Sequence, residues 1–474
     1  MIEAAQDWLK SLRPYAERHA AACAQPGDAQ ERILKDLLLR NCETVFGKDH
    51  HFADITNYGE FKNAVPVRLY QDFDPWMQRV LAGEGNILTD EPVIGFEQTS
   101  GSSGGRKIIP ITESFREEMT VGIAGWMHRW QECHSEVFSG PAYWSISPPA
   151  LKPSLTPTGI VIGMENDSSY FPATCAQHLA GMLVMPNMGD DFYTATADAL
   201  LECQDLASLS VWSPTFFLQL DQAVRAAVPK FQTWKDQWPN LQVLSCWTDA
   251  QAGVWLNEVK QALGNVRIEP KGLLATEGVS SVPDAKTKQC IMAAGSHFIE
   301  FMDADGECVM CDGVEVGQTY EIVLTTGAGL YRYRTMDLVR IVAINDQGLP
   351  SLTFLGRVGR GSDLVGEKLT EEFVIECMQA SESQGILAAE SAGYRFYTNQ
   401  TQSADLLEQE LCRNPYYSQA LKLGQLRPIE VQLMGQGFQL EMIERRALAT
   451  GVRLGDIKIP ALLLEGEQEG WFGK

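Results

Sequence analysis

The residues best suited to chemistry gather in one short stretch, Gln98-Thr-Ser-Gly-Ser-Ser-Gly-Gly-Arg-Lys-Ile-Ile-Pro110. Small hydroxyl and glycine residues fill positions 99 to 105, and the cations Arg106 and Lys107 follow. Glycine lets backbone N–H groups close around an anion. Ser and Thr hydroxyls add donors without bulk. Such a loop suits a polyphosphate, although a plain surface turn has a similar composition. It is not a Walker loop, which requires Lys and then Ser or Thr after the second glycine. Gly101-Ser-Ser-Gly-Gly105 also matches the G-x-S-x-G nucleophile elbow, with Ser103 as nucleophile and His178 or His297 as loose partners. That elbow must turn straight into a helix, whereas Arg106 to Ile109 reads as a strand followed by Pro110, so the hydrolase reading is disfavoured.

The rest of the chain restricts what such a loop would bind. There are 474 residues with 38 Lys+Arg against 61 Asp+Glu, a formal charge of −23. A field of that sign repels nucleic acid and anionic membranes, so any phosphate must be held by a local arrangement. No apolar run is long enough to span a membrane, and the charged opening residues do not read as a signal peptide. Eleven scattered cysteines suggest a reducing compartment. Cys308-Val-Met-Cys311 lacks two further ligands at zinc spacing and reads as buried thiols on a strand edge. Glu465, Glu467 and Glu469 read as a solvated tail.

The elements that must position the loop can be read from periodicity. The first 45 residues are helical in pattern, with Asp28 as a cap and Ile33, Leu34, Leu37 and Leu38 on one face. From about 60 to 320, short apolar runs (Lys107–Ile109, Tyr143–Ser147, Gly159–Ile162, Leu209–Trp212, Val243–Cys246) alternate with helical stretches (Ser114–Gln131, Phe192–Gln204, Gln251–Leu263), which argues for α/β layering. From Gln318 to Val342 the chain reads as paired strands. Leu355-Gly-Arg-Val-Gly-Arg-Gly-Ser-Asp363 can serve as a hinge. A smaller α+β unit follows, with helices near Thr370–Ser381 and Leu440–Leu448 and strands near Tyr394–Thr398 and Ile429–Met434. Met119, Ile123, Trp126, Met127 and Trp130 share one helix face; they suit an acyl pocket or ordinary core packing.

Read together with Leu274-Ala-Thr-Glu-Gly278, Tyr331-Arg-Tyr-Arg-Thr-Met-Asp337, Leu355-Gly-Arg357 through Gly366-Glu-Lys368, and Gly455-Asp-Ile-Lys-Ile-Pro460, the loop resembles the adenylate-forming superfamily. In detail the pattern is similar to its plant auxin-responsive branch, the Gretchen-Hagen acyl-acid amido synthetases, and their bacterial relatives. Val65-Pro-Val-Arg-Leu-Tyr70 with Gly83-Glu84, Ser245-Cys-Trp247 and Gly437-Phe438 add to the match, which spans about residues 30 to 465. The resemblance implies that Thr99, Ser100, Gly101, Ser102, Ser103 and Gly104 hold the β and γ phosphates of ATP. It implies that Thr276 lies near the α-phosphate and that Glu277 is the acid on the Mg2+ side. Asp337 resembles the ribose-binding acid, with Met336 standing where the common T-G-D form has a small residue. Arg334 is expected to contact phosphate or adenylate. Either Gly356-Arg357 or Gly359-Arg360 represents the family's Gly-Arg pair, with Asp363 as pivot. Lys458 resembles the adenylation lysine and Lys368 a second phosphate or ribose contact. Val211-Trp-Ser-Pro-Thr-Phe-Phe217 resembles a segment bordering the acyl site, which places Trp212 and Phe216 beside Trp126 and Trp130 as substrate residues.

The expected fold is therefore α/β: a large N-terminal domain (1–355), a hinge (356–363) and a small mobile α+β domain (364–474). The expected function is ATP-dependent activation of a carboxylic acid and its transfer to an amine, typically an amino acid, in the cytoplasm. An acyl-CoA ligase and a non-catalytic adenylate-binding protein are the alternatives. The Gly-Glu-Lys and Ile-Lys-Ile-Pro forms argue against the first, and the retained acids and lysine against the second.

Overall fold

The computed structural model describes residues 2–100, 106–144, 154–163, 170–186, 192–390, 393–400, 404–435, 437–450 and 457–472. Two helices open the chain, Ile2–Ala24 and Pro26–Asn41. The second starts at Pro26 rather than at an Asp28 cap. Proline at the first position needs no N–H partner and brings the right φ, while Asp28 sits in the first turn, where negative charge suits the helix dipole. The first helix lies against Glu113–Cys133, and Gly125 is what lets them close. A Cβ there would come within 2.1 Å of the His19 ring. Trp8 is fully buried and meets Trp144 edge-on at 5.4 Å.

Among the described residues, three sheets of four or more strands build the large lobe. The strands Gly95–Ser100 and Arg106–Ile111 form an antiparallel pair in which Ser100 faces Arg106. A strand thus follows the Gly/Ser loop, which removes the nucleophile-elbow geometry. Ala142–Trp144, Ser208–Ser210, Val243–Ser245 and Arg267–Glu269 make a four-stranded parallel sheet in sequence order. Between its strands run Phe192–Glu202, Pro214–Ala227 and Leu256–Leu263, as α/β layering requires. Trp234 and Trp238, stacked at 4.7 Å, anchor this unit's core with Phe217.

The antiparallel region begins earlier than the pattern suggested, at Ser281 rather than Gln318. A seven-stranded sheet runs in the order Ser281–Asp284, Gln289–Met292, Pro350–Arg357, Tyr333–Ile344, Thr319–Thr325, Phe298–Met302, Cys308–Val309. Its early strands hide the signal because both faces are buried: Phe298–Met302 and Ser281–Asp284 show no exposed positions. The small lobe has a four-stranded sheet in the order Arg427–Leu433, Gly393–Thr398, Ile386–Glu390, Leu462–Leu463. The helices Glu371–Ala380 and Phe438–Thr450 pack with it. Thr370 caps the first of these by accepting from the Phe373 N–H.

The Tyr331–Arg334 run does not alternate as a strand would, because Arg332 has φ +51° and the strand starts only at Tyr333. Arg332 turns inward, pairs with the fully buried Glu300 at 2.9 Å and donates to the Val65 carbonyl at 2.8 Å. It thereby ties the Val65–Tyr70 segment to the sheet, where Arg68 bridges Tyr333. Arg332→Met leaves Glu300 uncompensated and is expected to destabilise the large lobe by about 3–5 kcal/mol. Chemical denaturation followed by tryptophan fluorescence measures this.

Candidate active site

The chain Leu274-Ala-Thr-Glu-Gly-Val279 folds into a tight hairpin, Leu274–Ala275 against Gly278–Val279, with Thr276 and Glu277 at its tip. Gly278 takes φ +155°, and a Cβ there would press on the His297 ring at 3.0 Å. The Glu277 carboxylate is buried, 9% exposed, yet faces a cavity. Behind it stands Lys107, whose ammonium lies 3.6 Å from Oε1. Lys107 donates to the Tyr333 hydroxyl at 2.8 Å, and that hydroxyl donates to Glu277 Oε1 at 3.3 Å. Burial lowers the Lys107 pKa and Glu277 works against the shift. Burial, then the Glu277 charge, pushes the Tyr333 phenol up, so it stays a donor.

Asp337 lies opposite Arg357 on adjacent strands, and the side chains pair at 3.2 Å. Arg357 also donates from Nη2 to the Thr335 carbonyl at 2.6 Å. The ladder is irregular on both sides of this strand near Asp337, between Arg334 and Leu338 toward Thr319–Thr325 and between Leu338 and Val339 toward Pro350–Arg357, and Met336 holds φ +66°. A left-handed residue explains why the common family form carries glycine here. Methionine accepts a strain of about 1–2 kcal/mol, and its N–H is taken by Glu321 at 3.3 Å. Burial raises the Asp337 pKa, Arg357 and Lys458 oppose the rise, and Glu277 adds to it.

The small lobe closes the third side. The strand Leu462–Leu463 inserts beside Ile386–Glu390, and this draws the preceding residues Ile457–Pro460 over the cavity. Glu371 accepts from the Ala461 N–H at 2.9 Å. Arg360 donates to the Leu462 carbonyl at 3.0 Å and pairs with Glu467 at 2.8 Å. So held, Lys458 projects its ammonium over the Trp247 ring at 4.7 Å and the Phe354 ring at 5.5 Å. The cavity measures about 310 Å³ and has Thr276, Glu277, Asp337, Arg357 and Lys458 in its wall. Its floor continues past Ser213 and Thr215 to Lys271.

The structure thus brings together Thr276, Glu277, Asp337, Arg357 and Lys458, and separates others. The expectation for Arg334 is corrected. Its guanidinium is engaged by Glu321 through two bonds of 2.9 and 2.6 Å and is not in the cavity wall. Lys368 is exposed, with φ +47°, and also lies outside the wall. Phe216 is 1% exposed and packs on Tyr193 at 5.4 Å in the core of the parallel unit, so it does not line the cavity. Trp130 is equally a core residue, donating to Glu269 at 2.8 Å. Trp126 and Trp212 stand nearer: the Lys271 ammonium lies over their rings at 5.7 and 4.8 Å. Gly101, Ser102, Ser103 and Gly104 lie outside the described residues, as do the side chains of Thr99, Ser100 and Arg106.

Of the two Gly-Arg pairs, Arg357 faces Asp337 and Arg360 belongs to the small lobe's own network. Glu467 is a partner in that network, not part of a solvated tail. The thiols of Cys308 and Cys311 are buried and pushed up to about 11 by that burial, so neither is a reactive thiolate. Residues that motif reading passed over are Tyr333 as a donor to Glu277, Trp247 and Phe354 as the rest for Lys458, and Lys271. Tyr333 had a signal in its place in the Tyr-Arg-Tyr-Arg run, and Trp247 in the Ser245-Cys-Trp247 motif.

The overall arrangement is that of adenylate-forming enzymes. A solved GH3.15 acyl acid amido synthetase superposes with TM-score 0.79 over 94% of this chain and 92% of its own, at 18% identity. A 2-hydroxyisobutyryl-CoA ligase in the postadenylation state, complexed with its acyl-AMP, superposes with TM-score 0.56 over 92% and 88%, at 13% identity. By sequence, the GH3 family N-terminal domain matches residues 16–228 and the GH3 family central domain residues 290–357. The indole-3-acetic acid-amido synthetase GH3.2 of Arabidopsis thaliana is 24% identical over 77% of this chain and 79% of its own length. The chain belongs to the GH3 family.

The environment of Asp337 sets a pH dependence. Its carboxyl titrates above the ordinary value of 3.8 because it is buried. Protonation removes acceptor capacity, so ATP binding is expected to weaken as pH falls through that raised value and to recover above it. Asp337→Asn should abolish this acid limb and weaken binding about tenfold at neutral pH. Calorimetric ATP titrations across pH test both.

Proposed function

We propose that this chain is an ATP-dependent acyl-acid amido synthetase: it activates a carboxylic acid as the acyl-adenylate and transfers the acyl group to an amine, in the class of amino acids, releasing AMP. The observation that carries the reading is the convergence of Thr276, Glu277, Asp337, Arg357 and Lys458, from four separate stretches of chain, on one cavity.

A carboxylate is a poor acyl donor, and its charge repels a nucleophile. In the first step its oxygen attacks the α-phosphorus, and the bond to pyrophosphate breaks. In the second the amine attacks the acyl carbon, and AMP leaves with the electron pair. The first step brings anions together, so it needs positive charge aimed at the reacting phosphate. Lys458 supplies it from the small lobe. The vicinal ribose hydroxyls donate to Asp337, whose orientation Arg357 fixes. Glu277 would hold magnesium, which arrives with ATP and neutralises phosphate oxygens. A lone carboxylate fits that ion, which is commonly held by one or two carboxylates together with substrate phosphates. Among the described residues no cluster of three or more His, Cys, Asp or Glu forms a dedicated metal cage. The 99–104 loop takes the outer phosphates in this reading.

We further propose that residues 1–355 act as the large domain, 356–363 as the hinge and 364–474 as the mobile small domain, and that the protein works in the cytoplasm. All eleven cysteines are free thiols, which suits a reducing compartment. Among the described residues no helix is long and apolar enough to cross a membrane.

The test is pyrophosphate release with a panel of acids alone, and AMP release only when an amine is added. A requirement for coenzyme A in place of the amine would make the chain an acyl-CoA ligase. Lys458→Ala is expected to lower pyrophosphate release by about 100-fold or more. Its side chain is solvent-exposed, so thermal stability should move by no more than about 0.5 kcal/mol. Unchanged release in this variant would remove Lys458 from the mechanism.

A further inference from the structure

The small lobe's side of the cavity carries a cation that the chemistry above does not use. Arg446 lies near the end of the helix Phe438–Thr450, is half-buried, and lines the cavity with Thr450 and Trp471. Its guanidinium rests over the Trp471 ring at 5.2 Å. Gly470 leaves room for it, since a Cβ there would come within 3.3 Å of Nη1. Trp471 is 7% exposed and belongs to the apolar cluster that also seats Ile457 and Ile459, the neighbours of Lys458. Arg446 and Lys458 thus stand on one base and line one cavity. Other guanidinium groups of this wall are matched: Arg357 pairs with Asp337, and Arg360 with Glu371 and Glu467. Among the described residues no carboxylate lies within ion-pair reach of Arg446. A guanidinium seated on an indole keeps its in-plane N–H groups available.

We propose that Arg446 receives the carboxylate of the acyl acceptor: an amino acid enters with its carboxylate in the guanidinium fork, which leaves its amine free and turned toward the acyl group. The proposal rests on the acyl-activation reading and names the residue that selects the acceptor. The activated acid's own carboxylate is consumed in the first step, and Lys458 answers the charge at the reacting phosphate. The unmatched cation is left for the anion that arrives second. That anion needs one, because Asp249, Glu371 and Glu467 line the same cavity and the chain as a whole carries −23. A planar fork suits a carboxylate, which accepts two parallel N–H bonds from it. Selection through such a contact is steep, because an acceptor lacking the carboxylate leaves the donors unmet.

The full-length protein, loaded with AMP, is titrated calorimetrically with the protein amino acids and with their carboxamides, in which an amide replaces the carboxylate. At least one amino acid is expected to bind about 30-fold more tightly than its carboxamide. Arg446→Met should remove that preference and leave carboxamide binding nearly unchanged. Arg446→Lys, which keeps the charge without the fork, should restore only part of it. Should Arg446→Met fail to fold, Arg446→Lys decides, and an undiminished preference overturns the proposal. Equal binding of amino acids and carboxamides also overturns it. Turnover with benzoate, phenylacetate and octanoate separates the two layers. Hydroxylamine, a nucleophile with no carboxylate, traps an activated acyl group as the hydroxamate. Arg446→Met should raise the KM for the amino acid about 30-fold, while pyrophosphate release from acid alone and hydroxamate formation follow the unaltered protein. An equal loss in all three would assign Arg446 to ATP or to the acid and overturn the proposal. Preference through Arg446 with neither pyrophosphate nor hydroxamate from any acid would sink the activation reading and leave the recognition standing. Hydroxamate formation together with amino-acid use indifferent to Arg446→Met would do the reverse.

Discussion

Two carboxylates, Glu277 and Asp337, are buried at one cavity, and the rest of the site is organised around giving each a cation there. An ionised carboxylate taken out of water is costly unless a partner compensates it. Each has its own cation, delivered from a distant part of the chain. Lys107 backs Glu277 from the strand after the Gly/Ser loop, and Arg357 backs Asp337 from the neighbouring strand of the large sheet. The problem is sharper because the whole chain carries −23. Its field opposes any polyphosphate, so attraction must be built locally, by few cations in a low-dielectric cleft, where each counts for more than at the surface.

This demand explains the topology better than any single motif does. Lys107 reaches Glu277 only because Arg106–Ile111 is pinned beside Tyr333, whose hydroxyl links the two charges. Tyr70 fixes the same strand by accepting from the Ile108 N–H and donating to its carbonyl. Arg332, although it touches no part of the cavity wall, anchors the segment that carries Tyr70. Residues of one motif therefore divide their labour: Tyr333 and Asp337 serve the site, while Arg332 and Arg334 hold the scaffold through Glu300 and Glu321.

That division marks the limit of what could be read in advance. The α/β class, the small terminal unit and the meeting of Thr276, Glu277, Asp337 and Lys458 at one cavity were legible, because loop motifs keep their order and spacing while everything around them changes. Arg334 was misjudged because alternation along a strand gives a face but not a partner. Glu321 on the next strand outcompetes a ligand for the guanidinium, since a bidentate carboxylate satisfies its fork geometry. Phe216 was misjudged for a related reason: a helix next to a site has an inner face too, and apolar residues prefer it. Lys271 could not be found by pattern, and the Ser245-Cys-Trp247 motif gave Trp247 no role, since only the folded chain brings both to one cavity wall. The left-handed Met336 shows a motif kept in backbone shape though not in residue type.

The link between the lobes, Arg357 to Arg360, is tied down from both ends by the same contacts. Arg357 is tied to the large lobe through Asp337 and Thr335, and the Val358 N–H still donates to the Met336 carbonyl at 2.8 Å. Arg360 is tied to the small lobe through Glu371, Leu462 and Glu467. Between these anchored residues only Gly359 is left, at φ +78° with nothing near its Cβ position. A rotation there would move Lys458 with its lobe, because Glu371 and Arg360 hold the Lys458 segment from within that lobe. What would break are cross-lobe contacts: Lys458 on Trp247, Arg340 with Glu372 at 3.1 Å, Gln251 with the Gly385 carbonyl, and the apolar seat of Trp255 among Val374 and Met378. The exposed ion pair is weak and the cation–π contact modest, whereas uncovering Trp255 loses buried apolar area. In such a rotation the apolar seat of Trp255 would be the costliest of these contacts to break.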